Sequence, residues 1–274
     1  MIDNSEMFRQ ICINRNFEKE VARVYDKGLI KMAIYLSLGQ EHIPVAISSV
    51  SKDFMIFGQH RCHSYYLSFG GSPEKLRDEL LHRNTGTSRG MGGSQCLNCP
   101  EINMYGHSGL IGDQVPMAVG AAMISGKSTL CVFGDAAAEE DYVFSAIGYA
   151  ATRNVPVLFI CEDNNLSILT PVSTRRSWNT VSIAKSFGLY AVDIEDDPWL
   201  IYRTVETARW KLPAFINIHT RRQVWHAGTG NDGPPEWNRF EMIKNDLHML
   251  GYGKEMDRIE RETKEEMQEL WRGV

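Results

Sequence analysis

Four short apolar runs, at residues 129–133, 155–161, 189–192 and 214–218, are each separated from the next by a segment whose apolar residues follow helical spacing. Strands that alternate with helices along a chain pair in parallel, with the helices packed on both faces of the sheet. The expected fold class is therefore α/β, a doubly wound and mostly parallel sheet. Ligands in such sheets bind outside the carboxyl ends of the strands. That directs attention to the residues just after Phe133, Cys161 and Ile218.

The flanks carry helical patterns. Residues 5–36 read as one or two helices, with Phe8, Ile11, Ile13, Phe17, Val21 and Val24 at compatible spacing and Gly28 as a break, an N-terminal helical arm. Residues 254–271 are charged but set Met256, Ile259, Met267, Leu270 and Trp271 along one stripe, as a surface or subunit-contact helix does. No repeat or linker divides the chain, so residues 1–274 are expected to form one domain, large enough to bury a full core with 43% hydrophobic residues.

A net charge of −5 with interspersed signs gives no basic face for nucleic acid. No run approaches the roughly 18 apolar residues of a membrane span, and the first residues lack a signal-peptide pattern, so a cytoplasmic location is expected. The six cysteines are scattered and expected to be reduced. Cys96 and Cys99 have metal or redox spacing, but no second pair follows to complete a structural zinc site, which leaves a loop with two ordinary thiols as the simpler reading.

The first run leads into Gly134-Asp135-Ala136-Ala137, where small residues allow a backbone turn to approach a ligand and Asp135 is the first charged group. The second ends at Glu162-Asp163-Asn164-Asn165, about thirty positions later, one crossover unit away. Asp135 and Asn164 thus offer two oxygen donors from neighbouring strand ends, a set that suits magnesium when phosphate oxygens and water complete its six-ligand shell. Taken singly, each has a plainer reading: Asp135 as a helix N-cap, Asn164-Asn165 as a turn. Glu139 and Glu140 are read as acidic residues opening a helix, without catalytic duty.

This pair resembles the GDG and NN motifs of thiamine diphosphate enzymes, and the segment 160–172 is similar, without a gap, to the ICENNGYAISTPV pattern of the alpha subunits of the 2-oxo acid dehydrogenases (the pyruvate, branched-chain and acetoin enzymes). Other segments match the same family. Ser37-Leu38-Gly39-Gln40-Glu41 resembles YxGQEA, His60-Arg61-Cys62-His63 resembles YRxHG, the run 85–94 resembles TGxSKGKGGS, and 109–116 resembles GIVGAQVP. The departures are His60 for tyrosine, Ala136 for the third glycine and Asp163 for the first asparagine.

The resemblance implies a thiamine diphosphate-binding fold with thiamine diphosphate and Mg2+ as cofactors. Asp135, Asn164 and the Leu166 carbonyl would hold the metal. His60 and Arg61 would meet the diphosphate beside Gly134, Ala136 and Ala137, while Gly109 and Ile111 meet the aminopyrimidine and Ile111 wedges the cofactor into its bent form. His226, in a loop loosely similar to YRYHGHS, would stabilise the diphosphate or move a proton. His63 is a second catalytic candidate, and His107 is a candidate to face the substrate.

Thiamine chemistry also needs a glutamate on the pyrimidine ring, and no segment here resembles the domain that supplies it. The resemblance therefore implies a beta-type partner in an α2β2 assembly, with a 2-oxo acid as substrate and a lipoyl acyltransferase as one acceptor of the acyl unit. Two alternatives remain open: a transketolase-like or acyloin-forming two-component enzyme, and a catalytically silent alpha-like scaffold.

Overall fold

The structure, a computed structural model, describes residues 3–105 and 109–274. Six strands form one parallel sheet: β1 (Met55–Phe57), β2 (Met104–Tyr105), β3 (Thr129–Gly134), β4 (Val157–Asp163), then, after a small hairpin of β5 (Leu166–Ser167) and β6 (Thr170–Pro171), β7 (Tyr190–Glu195) and β8 (Ala214–His219). Their spatial order is β2-β1-β3-β4-β8-β7. The four expected runs are thus the four longer strands. The short strands β1 and β2, three and two residues long, are additional to those runs, and β2 forms the edge beside β1.

Successive side chains of a strand point to opposite faces, and each face here has its own core. Leu130, Val132, Leu158, Ile160 and Ile216 pack with α1 (Asn4–Asp26), α2 (His42–Ser51), α3 (His63–Ser68) and α4 (Pro73–Leu80). Cys131, Phe133, Val157, Phe159, Cys161 and Phe215 pack with α5 (Gln114–Ser125) and α6 (Asp141–Arg153) on the other side. Beyond α7 (Val172–Arg175), α8 (Thr180–Ser186) joins the second layer and α9 (Pro198–Ala208) the first. Both faces are covered, as the alternation of elements required.

The N-terminal arm is a single helix. Asp3 caps α1 by accepting from Ser5 N and Glu6 N, and Gly28 takes the left-handed φ of +70° just past its end. Residues 29–36 do not form the second helix that their apolar content allowed. Their backbone is claimed by other segments: Ile34 O accepts from Gly228 N, Tyr35 N donates to Ser94 Oγ, and Leu36 O accepts from Arg61. The C-terminal helix α11 (Gly253–Leu270), preceded by α10 (Arg239–Met249), lays Met256, Ile259 and Met267 inward, and Trp271 meets Phe17 edge-on at 5.5 Å. Its stripe is therefore covered within the chain by α1 and α10.

Among the described residues all six cysteines are free thiols, and no helix is long and apolar enough to cross a membrane.

Candidate functional site

The sheet reverses its winding at β1, with β2 on one side and β3 on the other. A crevice outside the strand ends follows from that reversal. It is a cavity of about 180 Å³ lined by Gln59, His60 and Arg61 after β1, by Gly134, Asp135, Ala136 and Ala137 after β3, and by Asn164 and Leu166 after β4. Ile111, Gln114, Ile168, Arg222 and His226 also face it. Complete small-molecule pockets run from roughly 300 Å³ upward, so this one suits part of a ligand.

Most of the expected site residues therefore meet in one place. Three stand apart. Gly109 is not among the lining residues, although its φ of +95° fits a glycine. His107 lies outside the described residues. His63 is not brought to the cavity: it is fully buried, with Nδ1 3.1 Å from Glu18 Oε2 and Nε2 2.8 Å from Ser94 Oγ. With both ring nitrogens engaged it ties α1, α3 and the glycine-rich loop together, and in this arrangement it has no route to a reacting group.

Two arginines contribute to the lining. The buried Arg61 donates to Leu36 O and, at 3.2 Å, to His226 O, and Arg222 pairs with Asp232 at 2.6 Å while donating to Ile168 O. Burial and the neighbouring Arg222 bring Arg61 down to about 10. Burial, Arg61 and Arg222 likewise hold the His226 imidazole down to about 4, so it is neutral at pH 7. His60, His226 and Tyr35 pack as an aromatic trio with ring centroids 4.9–5.4 Å apart. Arg61 and Arg222 are both buried, and although Glu162, Glu18 and Asp232 act on Arg61, the two guanidiniums line the cavity and suit an anionic ligand.

Asp135 supplies a carboxylate to the same lining. Gly134 pairs with Glu162 across β3 and β4, which sets Asp135 and Asn164 at the ends of adjacent strands. Asp135 caps no helix; its Oδ2 accepts from Arg175, while Arg176 reaches Asp135 O at 2.6 Å and Glu139 Oε1 at 2.7 Å. Burial and the nearby Asp163 raise the Asp135 pKa, against the pull of Arg175. Asn164 makes the turn that its sequence allowed, accepting from Leu166 N at 3.1 Å, and donates to Gln40 Oε1 at 3.4 Å. Burial pushes the Glu162 carboxyl up to about 7 although Tyr65 Oη, at 2.8 Å, and Gln59 both donate to it.

The departures from the family motifs have local explanations. Ala136 sits at φ −72°, where a methyl group costs nothing. Asp163 turns away from the cavity, accepting from Asn165 N at 2.9 Å and lying 3.4 Å from Asn217 Nδ2. Gly39 in the GQE segment is needed: at φ +95° its added Cβ would stand 2.5 Å from Arg221 O.

Arg61 and Arg222 fit a diphosphate, and an amide oxygen left without a donor fits a cation rather than a phosphate oxygen. Gln114 Oε1 and Gln40 Nε2 are buried without a hydrogen-bond partner among the described residues, and Gln114 lines the cavity. Among the described residues no cluster of three or more His, Cys, Asp or Glu is placed to hold a metal. A divalent ion at Asp135 and Asn164 would draw its remaining ligands from phosphate and water, as magnesium does in such sites.

Comparison with known proteins supplies the relationship. The profile of the family described as dehydrogenase E1 component matches residues 9–227. The chain belongs to that family. Its relatives include the mitochondrial pyruvate dehydrogenase E1 component subunit alpha of Dictyostelium discoideum, 30% identical over 80% of this chain and 61% of the relative. The alpha subunit of Zymomonas mobilis is 26% identical over 96% of this chain and 82% of its own, and that of Rhizobium meliloti 32% identical over 70% and 58%. This E1 chain thus spans about three fifths of two of these relatives and about four fifths of the third. The likeness to alpha subunits drawn from the motifs stands.

Proposed function

We propose that the chain, as one domain, is the diphosphate- and magnesium-binding alpha subunit of a two-chain thiamine diphosphate enzyme that decarboxylates a 2-oxo acid and passes on the acyl unit. The observation that carries this reading is a cavity at the sheet's reversal point lined both by two buried guanidiniums, Arg61 and Arg222, and by Asp135 with Asn164. When bound, thiamine diphosphate supplies the nucleophilic carbon and the electron sink for loss of carbon dioxide. Arg61 and Arg222 would neutralise the diphosphate. Asp135, Asn164 and the Leu166 carbonyl would hold Mg2+, and Ile111 would support the ring system from below.

His226, neutral at pH 7, would act as a hydrogen-bond donor or acceptor at the diphosphate end and take up a proton only as negative charge arrives beside it. His60 would take the place of the tyrosine in the related motif, holding His226 by ring contact. The small volume supports a half-site completed by a beta-type subunit that carries the activating glutamate, in an α2β2 assembly. The names of the relatives support pyruvate or a similar 2-oxo acid as substrate; a lipoyl acyltransferase as acceptor rests on the motif resemblance alone.

Titration calorimetry of the chain assembled with its beta-type partner tests this. Thiamine diphosphate with Mg2+ is expected to bind the wild type and to lose its magnesium dependence in Asp135→Ala, with the chain still folded. An assembled wild type that never binds at saturating cofactor would leave the silent-scaffold reading in its place.

A further inference from the structure

We propose that Arg175 and a divalent cation are alternative occupants of the Asp135 carboxylate, with Glu139 receiving the guanidinium when the ion arrives. The inference rests on the proposed role of Asp135 as a metal ligand, and adds a built-in competitor for that role.

Arg175 ends the short helix α7, just after the β5-β6 hairpin that leads from Asn164 back across the cavity. Its Nη2 contacts Asp135 Oδ2, and Asp135 is only 2% exposed, so the guanidinium stands where a cation would approach. Asp135, Glu139, Arg175 and Arg176 form a group of two negative and two positive charges. Bringing a doubly charged ion onto the same buried carboxylate without moving Arg175 sets like charges within a few ångströms in a low-dielectric wall, a cost that coordination to one shared carboxylate does not offset. Exchange avoids it.

The exchange has a short path. Arg175 Nε already lies 3.3 Å from Glu139 Oε1, and Arg175 Nη1 has no acceptor among the described residues. Rotation of the side chain is enough to move the charge from one carboxylate to the other. The backbone need not open, because Arg176, which shares Glu139 Oε1, is also held by Asp135 O and lies over the Trp178 ring at 4.8 Å. Tethering keeps the competitor at high effective concentration, so metal is admitted in earnest only when a diphosphate adds its own oxygens to the shell.

Manganese affinity of the full-length chain, read from the electron paramagnetic resonance of free Mn2+ with and without saturating inorganic pyrophosphate, tests the exchange. Arg175→Met is expected to tighten Mn2+ at least ten-fold, about 1.4 kcal/mol, with Arg175→Lys intermediate. Glu139→Gln is expected to weaken Mn2+ several-fold alone, and to have almost no effect in the Arg175→Met background. A folded Arg175→Met chain with equal or weaker affinity overturns the proposal and makes Arg175 a support for the metal site. Strictly additive effects of the two substitutions overturn the transfer to Glu139. Failure of both wild type and Arg175→Met to bind Mn2+ beside pyrophosphate removes the metal site itself, and the proposed function with it.

Discussion

Two buried aspartates, Asp196 and Asp135, show what separates a structural carboxylate from one left for a ligand. Asp196 accepts from Thr220 Oγ1 at 2.8 Å, Trp237 Nε1 at 3.2 Å and Arg239 Nε at 2.7 Å, with His42 Nε2 3.4 Å away. Although burial works against ionisation, His42, Arg239 and Thr220 outweigh it and hold its pKa at about 2. Asp135 is as deeply buried, but one arginine side chain meets its carboxylate and Asp163 repels it, and its pKa moves upward instead. A carboxylate whose charge is under-compensated in the fold gains most from an incoming cation. Asp196 is finished; Asp135 is waiting.

The largest expected effect lies in stability. Asp196→Ala strands Arg239 and His42 in the interior and is expected to cost about 3–5 kcal/mol in denaturant unfolding. Asp135→Asn is expected to cost at most about 1 kcal/mol, because its ionised form is already disfavoured and Arg175 keeps Glu139. Equal losses at the two sites would break the contrast.

Titration sharpens it further. Glu162 belongs with Asp135: its folded pKa of about 7 lies above the ordinary 4.5, so its contribution is complete below pH 4.5 and is lost as pH rises through 7, about 3 kcal/mol in all. Glu162→Gln is expected to remove that decline between pH 4.5 and 7. His226, held down at about 4, changes in the opposite sense between pH 4 and 6.5, so the quantity to follow is the difference between wild type and Glu162→Gln at each pH. Asp196 acts on the acid side. Its depressed pKa stabilises the fold above pH 3.8, and about 2 kcal/mol is lost as pH falls through 2. A wild type whose acid unfolding matches that of an Asp196→Asn chain would place Asp196 with the under-compensated group.

The same contrast explains what the sequence disclosed. Residues directly after apolar runs were legible, because a strand's end is marked by the change from apolar to small and charged residues, as at Phe133-Gly134-Asp135 and Cys161-Glu162-Asp163. Arg222, which lines the cavity, and Arg175, which meets Asp135, were not, since each arrives by tertiary folding from a segment without periodicity. Two arginines in a row, at 175–176 and again at 221–222, were the available signal: charge clustered beside a motif loop that has no helical face to solvate it. His63 was carried to the site by its motif, yet Glu18, a buried charge inside the apolar stripe of α1, already marked its partner. The failed helix over 29–36 has the converse cause, as apolar content there serves burial while the backbone bonds to three other segments.

The smallest expected effect concerns the hairpin that lies over the cavity. Ile168 lines it at φ +54°, a left-handed conformation that a β-branched side chain adopts at a cost of about 1–2 kcal/mol. The residue is 58% exposed, so burial does not compensate; Arg222, donating to Ile168 O, helps to hold it. Asparagine tolerates this region, and Ile168→Asn is expected to raise the melting temperature slightly, by a gain of about 0.5–1 kcal/mol. If the strain is what keeps the hairpin ready to readjust when a ligand enters, the same substitution slows cofactor association in stopped-flow while leaving Asp135-dependent magnesium binding in place. A stabilised chain with unchanged association kinetics would assign the strain to the turn's geometry alone and leave the contrast between Asp135 and the permanently satisfied Asp196 to Arg175 and Asp163.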